Sequence, residues 1–184
     1  MKIAIVTDTH DNSATTKKAV DWIKKNKIKT IIHCGDVFKP EIIKEISKNF
    51  KGKIYTVISP ADASFSKVPF DSFKKIPRVK IYEEFGELKI GGNPEGKQAS
   101  YGARKIAFCH FPEIAKELVR RQKYDIVFYG HTHKPWLKKI GKTRLVNPGN
   151  IAGMFYKSTF ATYDTKTDKL ELKIIEQING FNKN

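Results

Sequence analysis

The stretch of sequence that decides the fold is Asp125–His133, DIVFYGHTH. Its first part, Ile126–Tyr129, is a short apolar run rich in strand formers, and it predicts a buried strand of an α/β sheet. Ligands of such sheets bind at the carboxyl ends of the strands, where His131 and His133 lie. Glycine at position 130 lets the backbone turn tightly, so that both imidazoles, which are common metal ligands, can point to one spot. An isolated His-x-His is more simply two surface histidines, but further candidate ligands at other strand ends favour metal binding.

The composition indicates an ordinary globular chain. It has 184 residues, of which 40% are hydrophobic and 29% charged, enough for one domain with a substantial core. The apolar runs are too short to span a bilayer and we expect no signal peptide, so no membrane association is predicted. Two cysteines, Cys34 and Cys109, argue against a disulfide framework and favour a reducing cytoplasm.

The charge is high and unevenly distributed. Lysine and arginine number 35 against 19 acidic residues, a net charge of +16. The stretch Lys97–Arg144 has twelve basic and three acidic residues, a net charge of +9. A basic surface there would attract anionic substrates, including nucleic acid. The alternative is a generally lysine-rich composition, since lysine is spread over the whole chain and we find no arginine-rich motif.

The first third of the chain alternates strands and helices. Strands are predicted at 2–7, 30–33 and 53–58, with a helix capped by Ser13 between the first two and a helix starting at Pro40 before the third. This order implies crossover connections and a mainly parallel sheet.

The rest of the chain is predicted to be rich in strands and largely antiparallel. Its predicted strands are 80–91, 104–109, 136–140, 143–146, 158–163 and 170–175. A helix is expected from about 112 to 122, a flexible loop at 92–101 and a frayed tail at 179–184. We find no linker and no internal repeat, so residues 1–184 are predicted to form a single domain.

Six carboxylate or imidazole groups follow the ends of predicted strands. They are Asp8, His10, Asp36, His110, His131 and His133. Mixed oxygen and nitrogen ligands suit divalent transition ions better than a thiolate-rich structural zinc site. Asp36 follows a glycine, where the backbone can approach closely, so that its carboxylate could bridge two metals. His33 lies inside a strand and is interpreted as a hydrogen-bonded core histidine, and the same interpretation stays open for His110.

The chain resembles the calcineurin-like metallophosphoesterases, in particular their compact single-domain bacterial and archaeal phosphodiesterases, which are similar to a retromer subunit. The motifs that carry the resemblance are Asp8-Thr9-His10, Gly35-Asp36, Cys109-His110, Gly130-His131-Thr132-His133 and Asn147-Pro148-Gly149. The likeness covers nearly the whole chain. It implies an α/β fold, a four-layer α/β/β/α sandwich with a parallel first half and a strand-rich second half, and a dimetal site at the strand ends.

The resemblance also implies roles for these residues. Asp8, His10 and His133 would hold one metal, His110 and His131 the other, and Asp36 would bridge them. Asp36, His131 and His10 are the implied catalytic residues. The implied reaction is phosphodiester hydrolysis by a hydroxide that bridges two divalent ions, Mn²⁺ in the first place and Zn²⁺, Fe²⁺ or Ni²⁺ as alternatives.

One motif departs from the family pattern. Where the family has Gly-Asn-x-Asp/Glu after the third strand, this chain has Ser59-Pro60-Ala61-Asp62. Pro60 replaces the asparagine that binds the second metal, so the second site is predicted to be weaker. The competing interpretation is a scaffold of the same fold with weak or no activity that binds protein or nucleic acid, and a homodimer is compatible with both. A metallo-β-lactamase-type hydrolase is set aside, because Lys134-Pro135-Trp136 follows His133 in place of the histidine-rich motif of that class.

Overall fold

The computed structural model describes residues 1–58, 71–92 and 102–178. The described helices are α1 (Ser13–Lys25), α2 (Pro40–Asn49), α3 (Asp71–Lys74), α4 (Pro112–Arg120) and α5 (Ile175–Ile178). The described strands are β1 (Lys2–Val6), β2 (Thr30–His33), β3 (Lys53–Val57), β4 (Val79–Tyr82), β5 (Phe85–Ile90), β6 (Arg104–Cys109), β7 (Ile126–Phe128), β8 (Trp136–Ile140), β9 (Thr143–Asn147), β10 (Thr159–Asp164) and β11 (Lys169–Ile174). Predictions for 59–62, for 93–101 of the flexible loop and for the tail at 179–184 fall outside the described residues.

The first sheet has six strands in the order β11-β10-β1-β2-β3-β4. The four strands from β1 to β4 are parallel, as the first third of the sequence predicts. On the other side β1 pairs antiparallel with β10, which pairs antiparallel with β11. The strand that precedes the first candidate ligands is therefore central, between a neighbour from the start of the chain and one from near its end.

The second sheet has five strands in the order β5-β6-β7-β9-β8. Its three central strands are parallel, and only the edge strands β5 and β8 are antiparallel to their neighbours. The prediction of a largely antiparallel second half is confirmed for the pairs β5–β6, β8–β9 and β10–β11 and is wrong for β6–β7 and β7–β9. Between β6 and β7 the α4 crossover returns the chain to the same end of the sheet, which makes these strands parallel.

The predicted strand at 80–91 is two strands in different sheets. A bend at Glu83 and Glu84 separates them, so that β4 pairs with β3 in the first sheet and β5 pairs with β6 in the second. Alternation of side chains along a strand does not reveal which sheet it joins, and the chain crosses between the sheets at this bend.

Helix boundaries differ from the predicted ones by one or two residues. Asn12, and not Ser13, is the N-cap of α1, because the Asn12 side chain accepts a hydrogen bond from the Thr15 amide at 3.2 Å. Helix α4 ends at Arg120 instead of 122. Pro40 is at the predicted first turn of α2.

Three apolar layers hold the sandwich together. One lies between the first sheet and helices α1 and α2, one between the two sheets, and one between the second sheet and α4. Along β1 the side chains alternate, with Ile3 and Ile5 facing the other sheet and Ala4 and Val6 facing the helices. The α/β/β/α arrangement is confirmed. None of the described helices is long and apolar enough to cross a membrane.

Candidate metal centre

Four of the six predicted ligands converge at the ends of β1, β2 and β7. They are Asp8, His10, Asp36 and His133, and one potential ligand atom from each lies within 4.8 Å of all the others. The Nε2 atom of His10 is 2.9 Å from a carboxylate oxygen of Asp36 and 3.0 Å from the Nε2 atom of His133. The same nitrogen of His133 is 3.2 Å from Asp8 Oδ1.

This donor set fits a divalent transition ion. Each imidazole nitrogen can carry at most one hydrogen, yet the two nitrogens approach each other as well as two carboxylates. A cation placed among these four atoms would accept one lone pair from each of them. Two carboxylates with two imidazoles are ligands for ions such as Mn²⁺, Fe²⁺ or Zn²⁺, in contrast to the thiolates of structural zinc sites.

Hydrogen bonds from neighbouring groups orient the candidate ligands. The hydroxyl of Thr7 donates to Asp8 Oδ2 at 2.6 Å, and the backbone amide of His131 donates to the same carboxylate at 3.1 and 3.2 Å. Burial alone would raise the pKa of the Asp36 carboxyl, but the hydrogen bond with His10 and the neighbouring imidazoles outweigh it and lower that pKa. The hydrogen bond with Asp8 raises the pKa of His133, against the effect of burial.

Five of the six candidate ligands have a left-handed backbone conformation. They are Asp8, His10, Asp36, His131 and His133, with φ between 40° and 70°. Such a φ costs an L-residue about 1 kcal/mol or more, and such strain is concentrated at active sites, where the surrounding structure holds it. Asp and His adopt a positive φ more often than most residues, but the sequence does not show which of them do so.

His110 and His131 lie beside the four-ligand cluster. Their rings meet edge to face with centroids 5.2 Å apart. The Nδ1 atom of His110 is 3.1 Å from the carbonyl oxygen of Cys34. Because a carbonyl can only accept, Nδ1 carries the hydrogen, and Nε2 of the neutral ring is left available as a ligand. The His110 side chain is buried, whereas His131 is exposed.

His33 is the hydrogen-bonded core histidine that its position predicts. The backbone amide of Gly35 donates to its Nδ1 atom at 3.2 Å, so Nε2 carries the hydrogen and donates to Thr9 Oγ1 at 3.3 Å. The Thr9 hydroxyl in turn donates to the carbonyl of Asp36 at 3.3 Å. His33 therefore fastens the loop after β1 to the loop after β2, and both loops carry ligands. Burial lowers the pKa of His33 to about 4, which keeps the ring neutral.

Two glycines provide the space in which the ligand loops meet. A Cβ on Gly130 would lie 2.1 Å from Thr7 Oγ1 and 2.7 Å from Asp8 Oδ2, and one on Gly35 would lie 2.8 Å from the His110 Cβ. Gly35 also has a φ of 101°, whereas Gly130 is not among the residues of positive φ. Gly130 is thus required by close approach, and not by the tight turn that the sequence suggests.

Two buried asparagines hold the His-x-His loop, and sequence reasoning did not give them that role. The Asn147 side chain donates to the Gly130 carbonyl at 2.9 Å and to the Thr132 hydroxyl at 3.0 Å. Asn150 donates to the carbonyl of His133 at 3.2 Å. Asn147 belongs to the Asn-Pro-Gly motif, which was the available signal.

Three phenylalanine rings surround the site. Phe38 contacts His10 edge to face at a centroid distance of 5.1 Å, and Phe111 contacts His131 at the same distance. The ring of Phe155 lies over His133, with centroids 5.8 Å apart and planes inclined by 30°. Nothing in the sequence pattern distinguishes these rings from core residues.

The chain is similar to known proteins over most of its length. Residues 1–168 match the calcineurin-like phosphoesterase superfamily domain. Phosphodiesterase MJ0936 of Methanocaldococcus jannaschii is 28% identical over 153 residues, which cover 83% of this chain and 86% of that protein. The resemblance inferred from the motifs is confirmed.

Solved structures agree with the fold. A structure described as a novel archaeal phosphodiesterase superposes with a TM-score of 0.77 and 25% identity over 95% of this chain and 99% of that one. Vps29 of Entamoeba histolytica in complex with Zn²⁺ superposes with a TM-score of 0.60 and 18% identity over 95% of this chain and 99% of that one. The second likeness concerns the fold alone.

Proposed function

The chain belongs to the calcineurin-like phosphoesterase superfamily, and on that premise we propose that it is a metal-dependent phosphodiesterase. The observation that carries the proposal is the convergence of four ligand side chains, Asp8, His10, Asp36 and His133, within 4.8 Å. The choice of diesters is supported by the archaeal relative MJ0936, a phosphodiesterase that aligns with 83% of this chain.

Two divalent ions are proposed at this centre. Asp8, His10 and His133 would hold one, His110 and His131 would hold the other, and Asp36 would serve both. When bound, such ions supply a water of lowered pKa for attack on phosphorus and positive charge for the phosphoryl oxygens. Asp36, His131 and His10 are the proposed catalytic residues, with Mn²⁺ as the expected metal.

The chain's own groups prepare the centre for this reaction. The lowered pKa of Asp36 keeps its carboxylate ionised at neutral pH, as a bridging ligand requires. The amide of His131 and the hydroxyl of Thr7 fix the Asp8 carboxylate, so that little reorganisation accompanies metal or substrate binding. The Nε2 atoms of His10 and His133 point to the same space as the two carboxylates.

The second metal is proposed to bind more weakly than the first. Its protein ligands are Asp36, His110 and His131, because proline at position 60 replaces the family's asparagine. Three protein ligands still hold an ion when water or a phosphate oxygen completes the shell. Activity should therefore rise with Mn²⁺ added beyond one equivalent.

The alternative function is a scaffold of the same fold with weak or no activity. The replacement at Pro60 favours it, and the retention of six other ligands argues against it. Binding of nucleic acid by the basic stretch and homodimer formation stay predictions. The free, buried cysteines Cys34 and Cys109 support the expectation of a reducing, cytoplasmic environment.

The test of the proposed function compares Asp36→Asn with Asp11→Asn. Wild-type protein with Mn²⁺ should hydrolyse bis(p-nitrophenyl) phosphate, and Asp36→Asn should lose more than about 100-fold in kcat/KM together with most of the metal measured by elemental analysis. Asp11 lies in the loop after β1, and its φ of 53° is similar to the 59° of Asp36. It is outside the four-ligand cluster, so that Asp11→Asn should keep both the activity and the metal. Wild-type protein that binds metal but leaves the diester intact would favour the scaffold.

A further inference from the structure

An exposed aromatic ring stands beside the metal centre. Phe155 is 86% exposed, the most exposed of the large hydrophobic residues described. Its φ is 61°, a conformation that is rare for a bulky residue and costs about 1 kcal/mol or more. Neither burial nor backbone preference therefore explains a phenylalanine at this position.

The ring of Phe155 is stacked on a metal ligand. It lies over the imidazole of His133, with 5.8 Å between the centroids and 30° between the planes. His133 also makes a hydrogen bond with the backbone of Met154, the residue before the phenylalanine. The ring is thus fixed relative to the ligand atom of His133, and most of its surface faces solvent.

The loop that carries Phe155 is held by Asn150, whose side chain is fully buried. Its Oδ1 atom accepts hydrogen bonds from the amides of Gly153 at 2.6 Å and Met154 at 2.9 Å, while its Nδ2 atom donates to the His133 carbonyl at 3.2 Å. Ala152, three residues before Phe155, donates its backbone amide to the carbonyl of Asp8 at 3.1 Å. The loop is therefore bound to both sides of the metal centre, which makes the exposed ring a preorganised feature.

We propose that Phe155 is a stacking platform for the nucleobase of a nucleotide phosphodiester whose phosphate lies at the metal centre. The proposal rests on the proposed function for the position of the phosphate. A nucleobase is a flat ring that the sugar carries away from the phosphate, so that a ring next to the metal ligand can receive it. Stacking of a base on an aromatic side chain contributes about 1–3 kcal/mol by alanine substitution and tolerates every base. The net charge of +16 favours such an anionic ligand.

The test measures binding and does not require turnover. Adenosine 5′-monophosphate and ribose 5-phosphate share the phosphate and the sugar and differ in the base. Isothermal titration of Mn²⁺-loaded wild-type protein should show tighter binding of the adenosine compound by about 5-fold or more. In Phe155→Ala this preference should vanish, while the affinity for ribose 5-phosphate stays within twofold; Phe155→Tyr should restore the preference.

A matched control replaces an exposed aromatic residue elsewhere. Trp136 is 51% exposed, and Trp136→Ala should leave the preference unchanged. Equal affinity of wild type for both compounds, absence of binding, or a preference that survives in Phe155→Ala would overturn the proposal. The wild-type protein could prefer adenosine 5′-monophosphate through Phe155 and yet fail to hydrolyse diesters. That result would support the stacking platform and contradict the proposed catalytic function.

Discussion

The two halves of the metal centre are built to different degrees. In the first half, Asp8, His10, Asp36 and His133 already converge within 4.8 Å. In the second half, His110 and His131 meet edge to face with centroids 5.2 Å apart. Within the described residues, the ring of His110 makes a hydrogen bond, to the Cys34 carbonyl, and the ring of His131 makes none. The first half is held by both sheets and by the loops after β1 and β2, whereas the second half comes from the second sheet alone apart from the shared Asp36.

This difference has a physical cause. The ligands of the first half are held against their backbone preferences by the His33–Thr9 connection and by Asn150. In the second half His131 is exposed, and proline stands at position 60, where the resemblance to the family implies an asparagine ligand. We expect the first half to bind metal as a preformed site and the second to be completed by its ligands and the substrate.

The largest expected effect comes from removing one histidine from each half and comparing how the two variants bind metal. His10→Ala should abolish tight binding of the first Mn²⁺, with a loss of more than about 100-fold in affinity. His110→Ala should keep the first ion and lose only the second, weaker one. Isothermal titration followed by elemental analysis after dialysis gives the stoichiometry of each variant.

A variant that adds a ligand to the second half tests the same difference between the two sites. Pro60→Asn should tighten the second ion and raise diesterase activity, provided the segment tolerates loss of the fixed φ of proline. Equal affinities for both ions in wild type, or the same stoichiometry in His10→Ala and His110→Ala, would show that the two halves are not different sites.

Gly130→Ala should damage both halves at once. The added methyl group would lie 2.1 Å from Thr7 Oγ1, 2.7 Å from Asp8 Oδ2 and 3.1 Å from His110 Nδ1. We expect a loss of about 3 kcal/mol in the free energy of unfolding, measured by urea denaturation, together with loss of metal. Gly102→Ala is the matched control, because nothing lies within 4 Å of a Cβ there, and its stability should change by less than about 0.5 kcal/mol. Equal behaviour of the two variants would contradict the close approach at Gly130.

The smallest expected effect is a pH dependence of the free energy of unfolding, which arises from His33. This residue connects two loops that carry ligands of the first half. Burial lowers the pKa of His33 to about 4, whereas the unfolded chain takes up this proton near pH 6.5. The contribution of the neutral, buried His33 to the free energy of unfolding is therefore complete above about pH 6.5. It is lost as the pH falls toward 4, because the unfolded chain then binds a proton that the folded chain does not. Metal-free wild type should lose about 2 kcal/mol more than His33→Asn between pH 7 and pH 5, by urea denaturation in the presence of a chelator. Parallel pH profiles of the two proteins would contradict this assignment.

Much of the fold could be predicted from local patterns. Strands β1, β2 and β3, their crossover helices and the positions of polar residues at strand ends follow from periodicity and from where each apolar run stops. The partner of each later strand could not be predicted, because β10 and β11 join the first sheet and β4 and β5 are divided between sheets. Such choices depend on contacts between distant parts of the chain, which a local pattern does not contain.

The candidate site was predictable as a set of residue types and not as a geometry. Asp8, His10 and Asp36 could be named from their positions after strands. Their left-handed backbone and the connection through His33 could not, because they arise only when two loops meet. The role of Phe155 was not predicted for a related reason, since the sequence does not show whether a phenylalanine is exposed or buried.

The central position of β1 has a consequence for how the chain acquires its site. This strand carries the first ligands, but its neighbour on one side, β10, pairs Lys2 with Asp164. During synthesis the first sheet cannot be completed until the segment near Asp164 has emerged, so that loop closure over most of the chain precedes the final structure. Of the four clustered ligands, Asp8, His10 and Asp36 lie in the first third of the chain, whereas His133 follows β7 of the second sheet. The complete four-ligand pocket is therefore expected only once both sheets have formed, so that assembly of the site reports on assembly of the whole fold.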